Sequence, residues 1–181
     1  MLWRGLDPRE PSLEHLRVTP WTALAGTVVA GTGGEAYTFT YRVQMGGDGH
    51  PTALTAHVTG GRALALRRDG EGSWRDETGQ PRPELDGCTD VDLRMTPSTN
   101  TVPIRRLGLG PGEVGTILAV WADVPRLTLR TARQRYTRLG ERTYRYENLE
   151  SEYVAEIEVD VQGLVTLYPG AFERVQPGHQ S

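Results

Sequence analysis

The sequence predicts a mainly β, single-domain protein: a curled antiparallel sheet, a sandwich or a barrel, with at most one or two short helices. Three observations carry this. Apolar residues recur with period two along many short runs, and no long amphipathic helix interrupts them. The chain holds 22 glycines and 12 prolines, roughly a fifth of its residues against about 12% in average usage, which suits many turns and hence many short strands. Its length, 181 residues, is that of one ordinary domain, since cores split only beyond roughly 250 residues.

The elements follow in chain order. Residues 1–14 are polar, with Pro8 and Pro11, and read as an N-terminal arm; 15–175 read as the β domain and 176–181 as a C-terminal tail. In 35–45, Tyr37, Phe39, Tyr41, Val43 and Met45 alternate with Ala36, Thr38, Thr40, Arg42 and Gln44, giving one apolar and one polar face until Gly46-Gly47-Asp48-Gly49 stops the strand. Strands follow at 54–58 and 62–68, and Asp69-Gly70-Glu71-Gly72 turns the second toward Ser73-Trp74-Arg75 as a hairpin. Val91, Leu93 and Met95 oppose Asp90, Asp92 and Arg94. Only 98–107 offers a short helix, and Pro103 limits it. Residues 114–121 are apolar on both faces, as in a central strand covered on both sides. The last pair, 153–159 and 164–168, is joined by Asp160-Val161-Gln162-Gly163.

Composition excludes several functions. A formal charge of -3 gives no long-range attraction to nucleic acid or an anionic membrane. All 20 basic residues are arginine, a composition bias that weakens any argument from a single Arg. Cys88 is the lone cysteine, so it forms no internal disulfide and reads as a small buried filler. His15, His50, His57 and His179 are scattered, and no phosphate loop or nucleophile elbow occurs, so neither a metal nor a cofactor is expected. The start lacks a signal-peptide pattern and no apolar run is long enough for a membrane span, which makes the cytoplasm the expected location.

The segment richest in chemistry runs from Asp86 to Leu107. It puts Asp90 and Asp92 on one strand face, then Ser98, Thr99, Asn100 and Thr101 between Pro97 and Pro103, then Arg105 and Arg106. Hydroxyl, amide and guanidinium groups are what sugar hydroxyls or a phosphate hydrogen-bond. The same side chains also make local bonds in turns, so a ligand site and an architectural cluster of Asp90, Asp92, Asn100 and one arginine both remain open. Trp121, ending the most apolar strand, either lines a cavity or belongs to the core. The stretch 126–146 mixes tyrosines with seven arginines; alternation sends arginine to solvent, so a nucleic-acid surface is disfavoured.

The chain resembles a bacterial family known as the putative glycolipid-binding family, formerly a domain of unknown function. The resemblance lies in Gly87-Cys88-Thr89-Asp90-Val91-Asp92-Leu93 running into Thr96-Pro97-Ser98-Thr99-Asn100-Thr101-Val102-Pro103-Ile104-Arg105-Arg106-Leu107, and in Asp160-Val161-Gln162-Gly163-Leu164-Val165 with Tyr168-Pro169 and Phe172. Gly70-Glu71-Gly72-Ser73-Trp74 and Tyr136 to Tyr146 add to it. Where the family usually carries a tryptophan and a basic residue near 54–58, this chain has Leu54, Thr55 and His57. The resemblance implies a curved half-barrel or barrel-like sheet, likened to bacterial lipoprotein carriers, with an apolar concave face. Its expected partner is an amphiphilic, glycolipid-like small molecule, with the 96–106 loop taking the polar head. Thr99, Asn100, Arg105, Arg106, Trp121, Tyr136 and Tyr144 are the candidate ligand contacts. The competing reading is an enzyme acting on a sugar or phosphorylated small molecule, with Asp90 and Asp92 as acid, base or metal ligands and Arg105 and Arg106 as anion clamps. Two carboxylates on one strand face lie about 7 Å apart at Cα, loosely near glycosidic spacing.

Overall fold

Fourteen strands form one sheet in the computed structural model, which describes residues 1–176. The tail expected over 176–181 lies outside the described residues apart from Gln176. In chain order the strands are β1 (Leu2–Gly5), β2 (Ser12–Thr19), β3 (Ala23–Thr32), β4 (Glu35–Met45), β5 (Pro51–Val58), β6 (Ala63–Arg68), β7 (Trp74–Asp76), β8 (Asp90–Leu93), β9 (Val114–Asp123), β10 (Thr128–Arg138), β11 (Thr143–Asn148), β12 (Val154–Val159), β13 (Val165–Tyr168) and β14 (Phe172–Val175). The one α-helix among the described residues, α1, spans Ser98–Leu107 between β8 and β9. The sheet is open rather than a closed barrel.

The strand order β7-β6-β5-β4-β3-β2-β1-β14-β13-β12-β11-β10-β9-β8 is a meander with its ends joined. Every sheet neighbour is also a chain neighbour except β1 and β14, which pair antiparallel with Leu2 opposite Val175. The one parallel pair is β8 with β9, because α1 carries the chain back between them. The sheet's two edges, β7 and β8, are therefore consecutive in the chain.

This arrangement corrects the arm. Residues 2–5 and much of 1–14 are strand, and Trp3 is 1% exposed with its indole N–H donating to the Val165 carbonyl at 2.9 Å. Pro8 lies in the turn between β1 and β2, and Pro11 just before β2. Pairing with the far end of the chain leaves no local signal, so a short strand followed by prolines reads locally as an arm.

The edge opposite β7 is tucked into the curl. Val91, Leu93, Val120 and Ala122 pack with Leu24, Phe39, Val43, Leu54 and Trp74 of the first half in one core. The other face of β9, with Ile117 and Ala119, joins Tyr136, Tyr144, Tyr146 and Ile157 in a second. The expectation that 114–121 is covered on both faces holds from Ile117 onward, with Val114 and Thr116 exposed. The strand is penultimate in the sheet rather than central, covered because the edge lies inside the curl. Leu85, Cys88, Met95 and Val102 complete the filling. The apolar concavity expected to take an acyl group is thus occupied by the protein's own side chains. Cys88 is a buried filler, its thiol pushed up to about 12 by burial. Among the described residues, no helix is long and apolar enough to cross a membrane.

Candidate functional site

The segment expected as a polar loop over 96–106 is mostly helix, and α1 at Ser98–Leu107 coincides with the one short helix the sequence offered at 98–107. An isolated helix this short is marginal in water, and Ser, Thr and Asn are poor helix formers; burial of Ser98 through Ile104 and a set of polar anchors hold it instead. Its start is fixed by Thr96, whose Oγ1 accepts the Ser98 N–H at 3.0 Å. Its end is set by Gly108 in the left-handed region, φ 56°.

Three anchors bind α1 to the sheet. The first is Tyr41 of β4, whose hydroxyl donates to the Glu14 carboxylate and lies 2.5 Å from Ser98 Oγ and 3.1 Å from Thr96 Oγ1. Gly26 makes room for it, since a Cβ there would meet the Tyr41 ring at 2.2 Å. Burial pushes Glu14 up to about 7 against the pull of Tyr41, and its Oε2 has no partner. The second anchor joins Asp92, which accepts from Gln134 Nε2 at 2.6 Å and Thr99 Oγ1 at 3.2 Å, to Asn100, whose Oδ1 accepts from Tyr136 Oη at 2.9 Å. The third is the ion pair of Arg106 with the wholly buried Asp90, which also accepts from Thr89 Oγ1 at 2.7 Å.

The single cluster expected from the sequence is therefore two. Asp92 and Asn100 share a network through Gln134 and Tyr136, while Asp90 and Arg106 form a separate pair. Arg105 belongs to neither. The division follows from helix geometry: Asn100 and Arg106 are six residues apart, so they meet different parts of the sheet.

Beside the first turn of α1 lies an aromatic recess of about 290 Å³. Asp92 opposes Trp121, and Trp121 opposes Arg130, so three paired side chains cross β8, β9 and β10 on one face. Arg130 lies over the Trp121 ring, 4.2 Å from its centroid, and donates to Glu150 at 3.2 Å. The opposite wall is Tyr146, Tyr153, Tyr168 and Phe172. Tyr146 meets Tyr153 and Tyr168 edge-on at 6.1 and 6.2 Å, and Tyr168 meets Phe172 at 6.2 Å. Asn100 and Asp92 provide the polar floor. Burial raises the Asp92 carboxyl above the ordinary carboxylate range, opposed by Gln134 and Thr99.

The remaining expected contacts are dispersed. Thr99 and Tyr136 are 1% exposed and spent on internal bonds. Tyr144 and Arg105 border a separate pocket of about 370 Å³, and Arg105 and Arg106 another of about 470 Å³. Asp90 is 0% exposed and neutralised by Arg106, so it is closed to any substrate, and the paired-carboxylate version of the enzyme reading loses one member. Among the described residues no group of His, Cys, Asp and Glu is placed to hold a metal.

Arg130, Tyr146 and Tyr153 were missed. Residue parity held the signal: Arg130 and Arg138 share the face of Ala132, Gln134 and Tyr136, whereas Arg133 and Arg135 take the other. Treating all seven arginines as solvent-facing discarded it. Tyr168 and Phe172 stood in the family motif without an assigned role.

A model of the family described as Putative glycolipid-binding matches residues 1–174. The fold is similar to the crystal structure of a DUF1089 family protein from Pseudomonas aeruginosa, with a TM-score of 0.84 and 40% identity over 91% of this chain and 92% of that one. No curated protein matches the chain.

Proposed function

Because the chain belongs to the family described as Putative glycolipid-binding, we propose that it binds the sugar head of a small amphiphile in the aromatic recess beside α1. One observation carries the proposal. An enclosure walled by Trp121, Tyr146, Tyr153 and Tyr168 has Asp92 and Asn100 as its floor and Arg130 at its mouth. A pyranose offers an apolar C–H face to aromatic rings and hydroxyls to carboxylate, amide and guanidinium groups, so the chemistry is complementary on both counts. A volume of about 290 Å³ is near the lower limit of small-molecule pockets, about 300 Å³, and suits one ring rather than an oligosaccharide.

The filled core supports recognition of the head in the recess over burial of a tail in the sheet. The walls are already fixed by aromatic packing and the floor by the Asp92–Gln134 and Asn100–Tyr136 bonds, so little side-chain freedom is lost on binding. Titration calorimetry with a panel of monosaccharides and short alkyl glycosides tests the proposal. At least one sugar should bind, with Trp121→Ala and Asp92→Asn each weakening it at least about tenfold, or about 1.4 kcal/mol. Native mass spectrometry of protein purified from cells identifies what it retains. Undiminished sugar affinity in both variants, or binding governed by the alkyl chain alone, overturns it.

A further inference from the structure

Arg105 is held in place without being neutralised. Its guanidinium lies over the Trp21 indole, with Cζ 3.3 Å from the ring centroid, and Nη1 donates to the Gln162 carbonyl at 2.6 Å. Gly163, at φ 78°, lets the side chain pass: a Cβ there would meet Arg105 Cγ at 2.9 Å. Asp160 is committed elsewhere, accepting from Arg174 at 2.6 Å and from the Gln162 and Leu164 amides at 2.8 and 3.0 Å. Among the described residues Arg105 makes no ion pair, while its neighbour Arg106 is spent on Asp90. Stacking and one carbonyl bond fix the plane of the group and leave most of its N–H donors free.

This cation stands at the rim of the cavity of about 470 Å³. The walls are Trp21, Leu24, Met45 and Val102, and the Gly46–Gly49 turn closes one side. Trp21 sits at φ 48°, a costly backbone region for a bulky residue, and its indole both lines the cavity and stacks against Arg105. Asp48, the acidic residue of the lining, accepts the His50 amide of its own turn at 3.0 Å.

We propose that this groove is a second ligand site, which binds a single-chain amphiphile with an anionic head: a phosphate or carboxylate on Arg105 and the hydrocarbon along Trp21, Leu24, Met45 and Val102. Charge selects the head, because an unpaired guanidinium with free donors favours an anion in bidentate geometry. The apolar walls select the tail. The site is separate from the aromatic recess, so either assignment can fail without the other.

The test uses the full chain and four probes below their micelle concentrations: decyl phosphate, decanoate, decyl maltoside and inorganic phosphate, followed by calorimetry. Decyl phosphate and decanoate should bind. Arg105→Gln should weaken both at least about tenfold, as expected for loss of a charge-assisted pair, and Met45→Asp should do the same by placing a carboxylate in the groove. Thermal melts establish that each variant is folded, and Trp121→Ala should leave these affinities unchanged, which separates this site from the recess. Decyl maltoside binding to Trp121→Ala, whose recess is disabled, as tightly as decyl phosphate does overturns the anion selection. Inorganic phosphate binding as tightly as decyl phosphate overturns the role of the groove. Unaltered affinity in folded Arg105→Gln overturns the proposal as a whole.

Discussion

Replacing Glu14 by Gln should make the protein more stable at alkaline pH and change little at acid pH. Glu14 is 3% exposed, and its carboxyl is raised from an ordinary 4.5 to about 7, chiefly by burial. Tyr41 and Thr96 hydrogen bonds and the Met1 ammonium, which donates to the Leu16 carbonyl at 2.8 Å, oppose the rise. A carboxyl raised in the folded chain binds its proton more tightly there than when unfolded. The resulting stability is therefore fully present below about pH 4.5 and is lost as pH rises through about 7. At about 1.4 kcal/mol per pH unit, the loss is about 3 kcal/mol. For a chain of this size that corresponds to about 6–12 °C in melting temperature. The amide cannot ionise, so Glu14→Gln should melt near the wild type at pH 5 and above it at pH 8.5. Urea denaturation across that range gives the same comparison as free energy. Parallel pH curves for the two proteins would refute the assignment of a protonated Glu14 inside the Tyr41–Ser98 anchor.

The other anchors give further expectations. Arg106→Ala leaves Asp90 buried without its ion-pair partner and should cost about 3–5 kcal/mol, read by denaturant unfolding. Asn100→Ala strips the acceptor from the Tyr136 hydroxyl and should cost about 1–3 kcal/mol in the same assay. Gly26→Ala drives a methyl into the Tyr41 ring, since the added Cβ would lie 2.2 Å away; an overpacking cost of about 1–3 kcal/mol should appear as a lower melting temperature.

The strands legible in the sequence are those whose partners are close in the chain. Tyr37 to Met45 alternate because one face of β4 is buried, and the turns after β4, β6 and β12 are glycine-marked, so each hairpin announces itself locally. The β1 strand does not, because its partner β14 is at the other end of the chain. Trp3 was visible as an aromatic, but nothing nearby tells where its indole will bond. The helix had a different difficulty. Thr99 and Asn100 are poor helix formers, and only the opposing Asp92 and Tyr136, the latter 36 residues from Asn100 along the chain, explain their burial. The polar character of the segment was plain; the division of its aspartates between two partners depended on tertiary geometry.

The placement of the open edge connects the fold to the site. A sheet with edges at β7 and β8 exposes unpaired backbone groups unless something protects them. Here Arg82 N–H donates to the Trp74 carbonyl at 2.8 Å beside β7, and β8 is folded inside the curl, covered by the first-half core. That solution uses the interior volume which a half-barrel would otherwise leave for an acyl chain. It also brings α1 against β8 and β10, so the polar side chains of the helix become the anchors of the curl and, at its first turn, part of the recess floor. Asp92 has a share in both: one oxygen accepts from Thr99 of the helix, the other from Gln134 of the sheet, and the carboxyl borders the cavity. Head-group recognition and helix attachment therefore meet in one residue. Asp92→Asn is the informative substitution because it preserves shape while removing the charge. A change in sugar affinity with little change in melting temperature would favour a contact with ligand, whereas a fall in stability with unchanged affinity of the folded protein would leave Asp92 as an anchor and move the recognition to Arg130 and Asn100.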